Sequence, residues 1–158
     1  MSKQLKAVLD SGPFIHLKEI NALDALKIFE LNSPVAVFEE TRGLEGIDCQ
    51  SICVKNKSIV EMLSTQFELG LGESEAIALC KQCGIELLLT DDLDARIVAK
   101  KFGLKAHGSV GILLKAFKEK IFSKSKAIEL AGKLKTNSSL FITNELIEYA
   151  IQEIKKSK

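Results

Sequence analysis

The chain has no tryptophan, one tyrosine, two histidines, two prolines and four cysteines among 158 residues. Each scarcity removes a class of function. Two isolated histidines, His16 and His107, cannot build a histidine-rich metal site, and His107 reads as a loop or surface residue rather than a general base. Without a cysteine or histidine pairing suited to it, nucleophile-base catalysis is hard to assemble. Cys80 and Cys83 have CxxC spacing and Cys49 and Cys53 form a looser pair. Cys80, however, shares an apolar stripe with Ala76 and Ile77 at helical spacing, so these thiols read as small core hydrophobes. Long apolar runs are also missing. Stretches such as Leu87 to Leu89 and Val110 to Leu114 fall far short of the roughly 20 residues a membrane span needs. The opening residues lead straight toward a core strand, with no apolar segment or small-residue cleavage site of a secretory signal, which predicts a cytoplasmic protein without a membrane anchor.

Net charge is nearly absent too: 22 Lys and Arg stand against 21 Asp and Glu, for +1. The sum conceals an asymmetry. Residues 95–135 hold 11 basic side chains and two acids, a net of +9, and the remainder of the chain carries −8. A lysine run is ordinarily a solvated helix face, so the asymmetry needs a second feature before it means anything.

What is present is a core-forming pattern. The hydrophobic content of 46% and a length near one typical domain of about 150 residues predict a single domain, residues 1–158, without disulfides or structural metal. Leu5 to Asp10 reads as a buried strand ending in an acid, punctuated by Ser11-Gly12-Pro13. Apolar residues from Phe14 through Ile20, Leu23, Leu26 and Phe29 predict one or two helices up to Asn32. Val35 to Val37 is a short strand or helix entry, leading into a short helix through Glu39 and Glu40. The stretch from Ile47 to Lys57 is ambiguous, and Ile59 to Phe67 suits a helix. Further on come a helix from Glu73 to about Gln82, a strand Ile85 to Leu89 that Thr90-Asp91-Asp92 ends while capping a helix Leu93 to Phe102, an edge strand Leu104 to His107 and a helix capped by Ser109 and reaching about Ile121. Two helices near 124–135 and 144–155 close the chain. Helices alternating with short apolar strands predict an α/β domain with a mostly parallel sheet covered on both faces.

In such sheets ligands collect beyond the carboxyl ends of the strands. Asp10 follows the first strand there and Asp91 and Asp92 follow the late one, so acids distant in sequence share one edge. Glu40 can join them from its short helix, and Glu73 from the first turn of a helix after Gly70-Leu71-Gly72. Each acid alone has an ordinary explanation as a helix cap or a solvated side chain. Four at one edge repel one another unless a cation neutralises them, and hard oxygen ligands select Mg²⁺ or Mn²⁺ over zinc.

These residues resemble the PIN-domain nucleases. The matching pieces are Val8-Leu-Asp-Ser-Gly-Pro-Phe-Ile-His-Leu17, Pro34 to Glu40, Gly72-Glu-Ser-Glu-Ala-Ile-Ala78, Leu87-Leu-Leu-Thr-Asp-Asp92 with Arg96-Ile-Val-Ala99, His107 to Leu114, and Phe141 to Ile147. The last two resemble an uncharacterised prokaryotic branch of PIN-like proteins. The resemblance implies a Rossmann-like three-layer α/β/α fold that cleaves single-stranded RNA with divalent metal. It also implies a toxin restrained by a small antitoxin protein, and a homodimer. Carried over, Asp10, Glu40, Glu73 and Asp92 match the four acids, and Ser11 matches the hydroxyl residue that orients the first. Glu75 is a close second for the third position, and Glu39 and Asp91 are second choices for their neighbours. Glu at the third position departs from the family's usual Asp, which leaves an inactive nucleic-acid-binding or protein-binding module as the alternative. Arg96, Lys100, Lys101, Lys115 and Lys118 of the +9 segment would contact phosphates. Base stacking could draw only on eight Phe, most of them core, so rich sequence readout is not expected. A receiver-like phosphoacceptor fits less well, since its acid pair follows the first strand. A haloacid-dehalogenase-type phosphatase needs Asp-x-Asp where this chain has Asp10-Ser11-Gly12.

Overall fold

The computed structural model describes residues 4–157; residues 1–3, part of the segment read above as lacking a signal, and residue 158 lie outside it. Five strands, β1 (Leu5–Leu9), β2 (Phe29–Pro34), β3 (Cys49–Ile52), β4 (Leu87–Leu89) and β5 (Lys105–His107), form one sheet in the order β3-β2-β1-β4-β5. All four pairings are parallel. The α-helices among the described residues are α1 (Ser11–Glu19), α2 (Val35–Glu40), α3 (Lys57–Gln66), α4 (Leu71–Cys83), α5 (Leu93–Lys101), α6 (Ser109–Lys118), α7 (Lys124–Thr136) and α8 (Asn144–Lys156).

Alternation along the central strands builds two cores. Ala7 and Leu9 of β1 and Leu87 and Leu89 of β4 share one cluster with Phe14 and Leu17 of α1, Ile112 and Leu113 of α6 and Leu130 and Leu134 of α7. Val8 and Leu88 face the other way, onto Val60 and Leu63 of α3, Ile77 and Leu79 of α4 and Val98 of α5. Burial on both faces is why β1 and β4 read as continuous apolar runs, and the result is the expected three-layer α/β/α arrangement. Among the described residues no helix is long and apolar enough to cross a membrane.

Several sequence expectations need correction. The helix foreseen up to Asn32 stops at Glu19; a 3-10 helix, Leu23–Ile28, follows, and Phe29–Pro34 is strand β2. The three-residue apolar steps belong to that tight turn. Pairing with β1, Leu5 opposite Phe29 through Val8 opposite Asn32, overrides the helical reading beyond it. Ser11-Gly12-Pro13 does not separate strand from helix, because α1 begins at Ser11 with Asp10 as its N-cap. Ser109 is the first residue of α6 rather than its cap, which is Gly108. The ambiguous 47–57 stretch contributes the short edge strand β3.

Candidate active site at the carboxyl edge of the sheet

The strand order reverses between β1 and β4, and the crevice beyond that switch point is where open parallel sheets bind ligands. Parallel strands force the intervening helices to run back, so the amino ends of α1, α4, α5 and α6 all lie at this edge. Their exposed amides and dipoles favour negative groups there.

Asp10 sits at the centre. It is 2% exposed, and its amide bonds Leu89 O across the switch point at 2.9 Å. Its Oδ1 accepts from Ser11 N at 2.9 Å and its Oδ2 from the buried Thr90 hydroxyl at 2.7 Å. The carboxyl is pushed up to about 7 by burial and by the charge of Glu73, with a smaller push from Glu40, against the hydrogen bonds from Thr90 and Ser11. Glu73, half-buried in the first turn of α4, is also raised, by burial and then by Asp92 and Glu40, although a backbone hydrogen bond opposes this. Asp92 caps α5, accepting from Ala95 N at 2.8 Å, while its own amide donates to Thr90 Oγ1 at 3.2 Å. Glu40 ends α2 and lies against Gly72, where a Cβ would come within 2.6 Å of Glu40 Oε1. A Cβ on Gly70 would likewise collide with Glu73 Oε2. The two glycines thus leave room for the two glutamates.

Asp10, Glu40, Glu73 and Asp92 are thereby brought within reach of each other's charge. The neighbouring acids go elsewhere. Glu75 Oε1 accepts from Ala36 N at 3.3 Å, at the start of α2, and its Oε2 lies 4.0 Å from Lys57 Nζ. Asp91 turns toward α1 and α6; burial would raise its carboxyl, but hydrogen bonds from His16 and Ser109 hold it below the ordinary range. Glu39 is exposed and has no hydrogen-bond or ion-pair partner among the described residues. Ser11 reaches Asp10 through its amide, and the hydroxyl that meets Asp10 is that of Thr90, which the sequence pattern marked only as a strand end. The signal available was a small hydroxyl residue immediately before two acids.

Among the described residues no three Asp, Glu, His or Cys side chains stand close enough to hold a metal ion as they lie. The donor set still suits a divalent cation. It consists of carboxylates alone, and burial together with the charge of Glu73 pushes the central one up to about 7, a cost of ionisation that a cation would relieve.

The basic residues are dispersed. Arg96 is near the cleft, its Nη1 3.1 Å from where a Gly108 Cβ would stand. Lys100 and Lys101 end α5, about 11–12 Å down its axis from Leu93, and Lys101 lies over the Phe67 ring at 5.7 Å. Lys115 and Lys118 are about 9–14 Å along α6 from Ser109. Lys115 instead joins Lys6, Lys105 and His107 in a groove of about 540 Å³ that reaches the amino ends of β1 and β4.

A family profile described as a PIN domain, DUF3368, matches residues 6–156. No curated protein and no solved structure matches the chain in the corresponding comparisons.

Proposed function

The chain belongs to the PIN-domain family, and from that premise we propose that it is a divalent-metal-dependent endoribonuclease that hydrolyses phosphodiester bonds of single-stranded RNA. The observation that carries this reading is Asp10, a buried carboxyl at the sheet's switch point pushed up to about 7 by burial and the facing glutamates. PIN domains generally use divalent metals, and Mg²⁺ or Mn²⁺ suits four carboxylates with no histidine or thiolate. Asp10, Glu40, Glu73 and Asp92 would hold the ion, with Glu40 and Glu73 turning inward on their rotatable side chains. When bound, such an ion lowers the pKa of a water and stabilises charge on a phosphate oxygen.

The chain's own residues supply the rest. Thr90 and the Ser11 amide fix the Asp10 carboxylate, and the Asp92 cap on α5 fixes the opposite wall. The amino ends of α1, α4, α5 and α6 and the Arg96 guanidinium favour the phosphate. Lys100, Lys101, Lys115 and Lys118 stand too far along their helices to touch the scissile group and would hold RNA outside the cleft through salt-sensitive contacts. We place the activity in one domain working in the cytoplasm as a homodimer, as the toxin of a toxin–antitoxin pair. Exposed Leu71, Leu93 and Ile97 at the amino-terminal parts of α4 and α5 support a protein partner such as an antitoxin beside the cleft.

The test is Mn²⁺-dependent cleavage of a single-stranded RNA, lost in Asp10→Asn and in Asp92→Asn with circular dichroism unchanged. Cleavage surviving in the double variant refutes the assignment. A second reading, a PIN-like binding module without turnover, is favoured by the longer Glu at the third acid position and by the absence, among the described residues, of a ready three-ligand cluster. Wild-type protein that binds RNA and Mn²⁺ without cleaving would establish it.

A further inference from the structure

Asp91 takes no part in the chemistry proposed above, yet its carboxylate accepts from three donors. His16 Nδ1 is 2.7 Å from Oδ2, Ser109 Oγ is 2.6 Å from the same oxygen, and Ser109 N is 2.6 Å from Oδ1. The His16 and Asp91 side chains are 15% and 8% exposed. The approach is close along the whole contact, since a Cβ on Gly12 would lie 3.4 Å from Asp91 Cβ. These bonds join α1, the 90–92 turn and the amino end of α6.

The cleft acids stand on the elements so joined. Asp10 caps α1 less than two turns before His16, and Asp92, next to Asp91, caps α5. Thr90 on the other side of Asp91 donates to Asp10 and accepts from the Asp92 amide. A rotation of the backbone at Asp91 therefore moves Thr90 off Asp10 and swings Asp92 relative to Glu73. Ser109 holds Asp91 from the α6 side, and on the α1 side the directional donor is the His16 imidazole, whose Nδ1 faces the buried carboxylate.

We propose that His16 is a positioning residue that, by holding Asp91 and through it the 90–92 turn, sets the separation of Asp10 and Asp92 and hence the divalent-metal affinity of the cleft. The inference rests on the metal-dependent reading of the same site. Its test is Mn²⁺ affinity of the full chain, read from the electron paramagnetic resonance signal of free Mn²⁺ and independent of RNA cleavage. His16→Ala is expected to weaken Mn²⁺ binding about 10-fold or more, and His16→Asn, whose side-chain amide can donate in place of Nδ1, to remain within about threefold of wild type. Far-UV circular dichroism must show each variant folded. If His16→Ala does not fold, His16→Leu, which fills the space without a donor, serves in its place with weakened binding expected. A folded His16→Ala (or its His16→Leu substitute) with wild-type affinity overturns the proposal, as does His16→Asn weakened as much as the variant without a donor. Asp10→Asn separates the two readings: if it abolishes Mn²⁺ binding while His16→Ala does not weaken it, only the role of His16 fails. If Asp10→Asn binds Mn²⁺ as wild type does, the metal site itself fails.

Discussion

Asp10 is placed where the folded protein disfavours its charge, so removing the charge should stabilise the metal-free protein. The carboxyl rises from 3.8 to about 7 on folding, chiefly through burial and then through Glu73. At about 1.4 kcal/mol for each tenfold gain in proton affinity, the ceiling is about 4 kcal/mol. The sign follows from proton binding. Between those two values the folded state holds a proton that the unfolded chain has released, so the contribution is full below about 4, falls as pH rises through 7, and then levels. Asp10→Asn keeps an oxygen for the Ser11 amide and presents an N–H₂ to the Thr90 hydroxyl, which can turn to accept it. With about half the ceiling realised after local relaxation, the variant gains about 2 kcal/mol at pH 8, or about 4–8 °C in Tm. Thermal melts of wild type and variant in EDTA from pH 4 to pH 8 check this. The difference should shrink to a small fraction of this toward pH 4, where Asp10 is neutral in the folded state and the unfolded chain approaches its value of 3.8. Mn²⁺ at pH 8 should raise the wild-type Tm and leave the variant unmoved. A variant less stable than wild type at pH 8 in EDTA, or a difference independent of pH, refutes the reasoning.

Thr90→Val removes the donor to Asp10 and the acceptor of the Asp92 amide from a buried position. It should cost about 1–3 kcal/mol in urea unfolding and weaken Mn²⁺ binding together. Gly72→Ala places a methyl within 2.6 Å of Glu40 Oε1. The flexible glutamate should yield, so stability should hold or rise by up to about 1 kcal/mol by Gly-to-Ala helix propensity while RNA cleavage falls; an unchanged cleavage rate would remove Glu40 from the site. Glu73→Gln should abolish cleavage and Glu75→Gln should largely spare it, since Glu75 is committed to Ala36 and Lys57. The reverse result in the same RNA assay would exchange their roles.

The parts of the fold legible in advance are those whose side chains meet the core at a regular period. Residues 7–9 of β1 and Leu87–Leu89 are buried on both faces and read as strands. The helices from α4 onward carry apolar stripes or stop signals such as Gly84, which takes φ +65° at the end of α4. Strand β2 was hidden because Phe-Glu-Leu-Asn-Ser-Pro is polar at half its positions. Those polar groups are tolerated through long-range contacts, among them the Ser33 hydroxyl on Leu9 O, that no local pattern announces.

The same division runs through the site. Composition and order alone determined a parallel α/β sheet with acids at its carboxyl edge, because hydrophobic period and strand-end position are local properties of the chain. Which acid faces inward is not local. Glu73 and Glu75 are two residues apart on one helix, about 200° around its axis, so they look in nearly opposite directions. Only the docking of α4 against β1 and α2 sends Glu73 toward Asp10 and Glu75 toward Ala36. Asp91 and Asp92 point apart in the same way from an extended turn, and the donors waiting on α1 and α6 claim Asp91, leaving Asp92 to the cleft. Tertiary packing also decided the reach of the +9 segment, since helices returning antiparallel to their strands carry most of its lysines toward the opposite edge and leave Arg96 beside the acids.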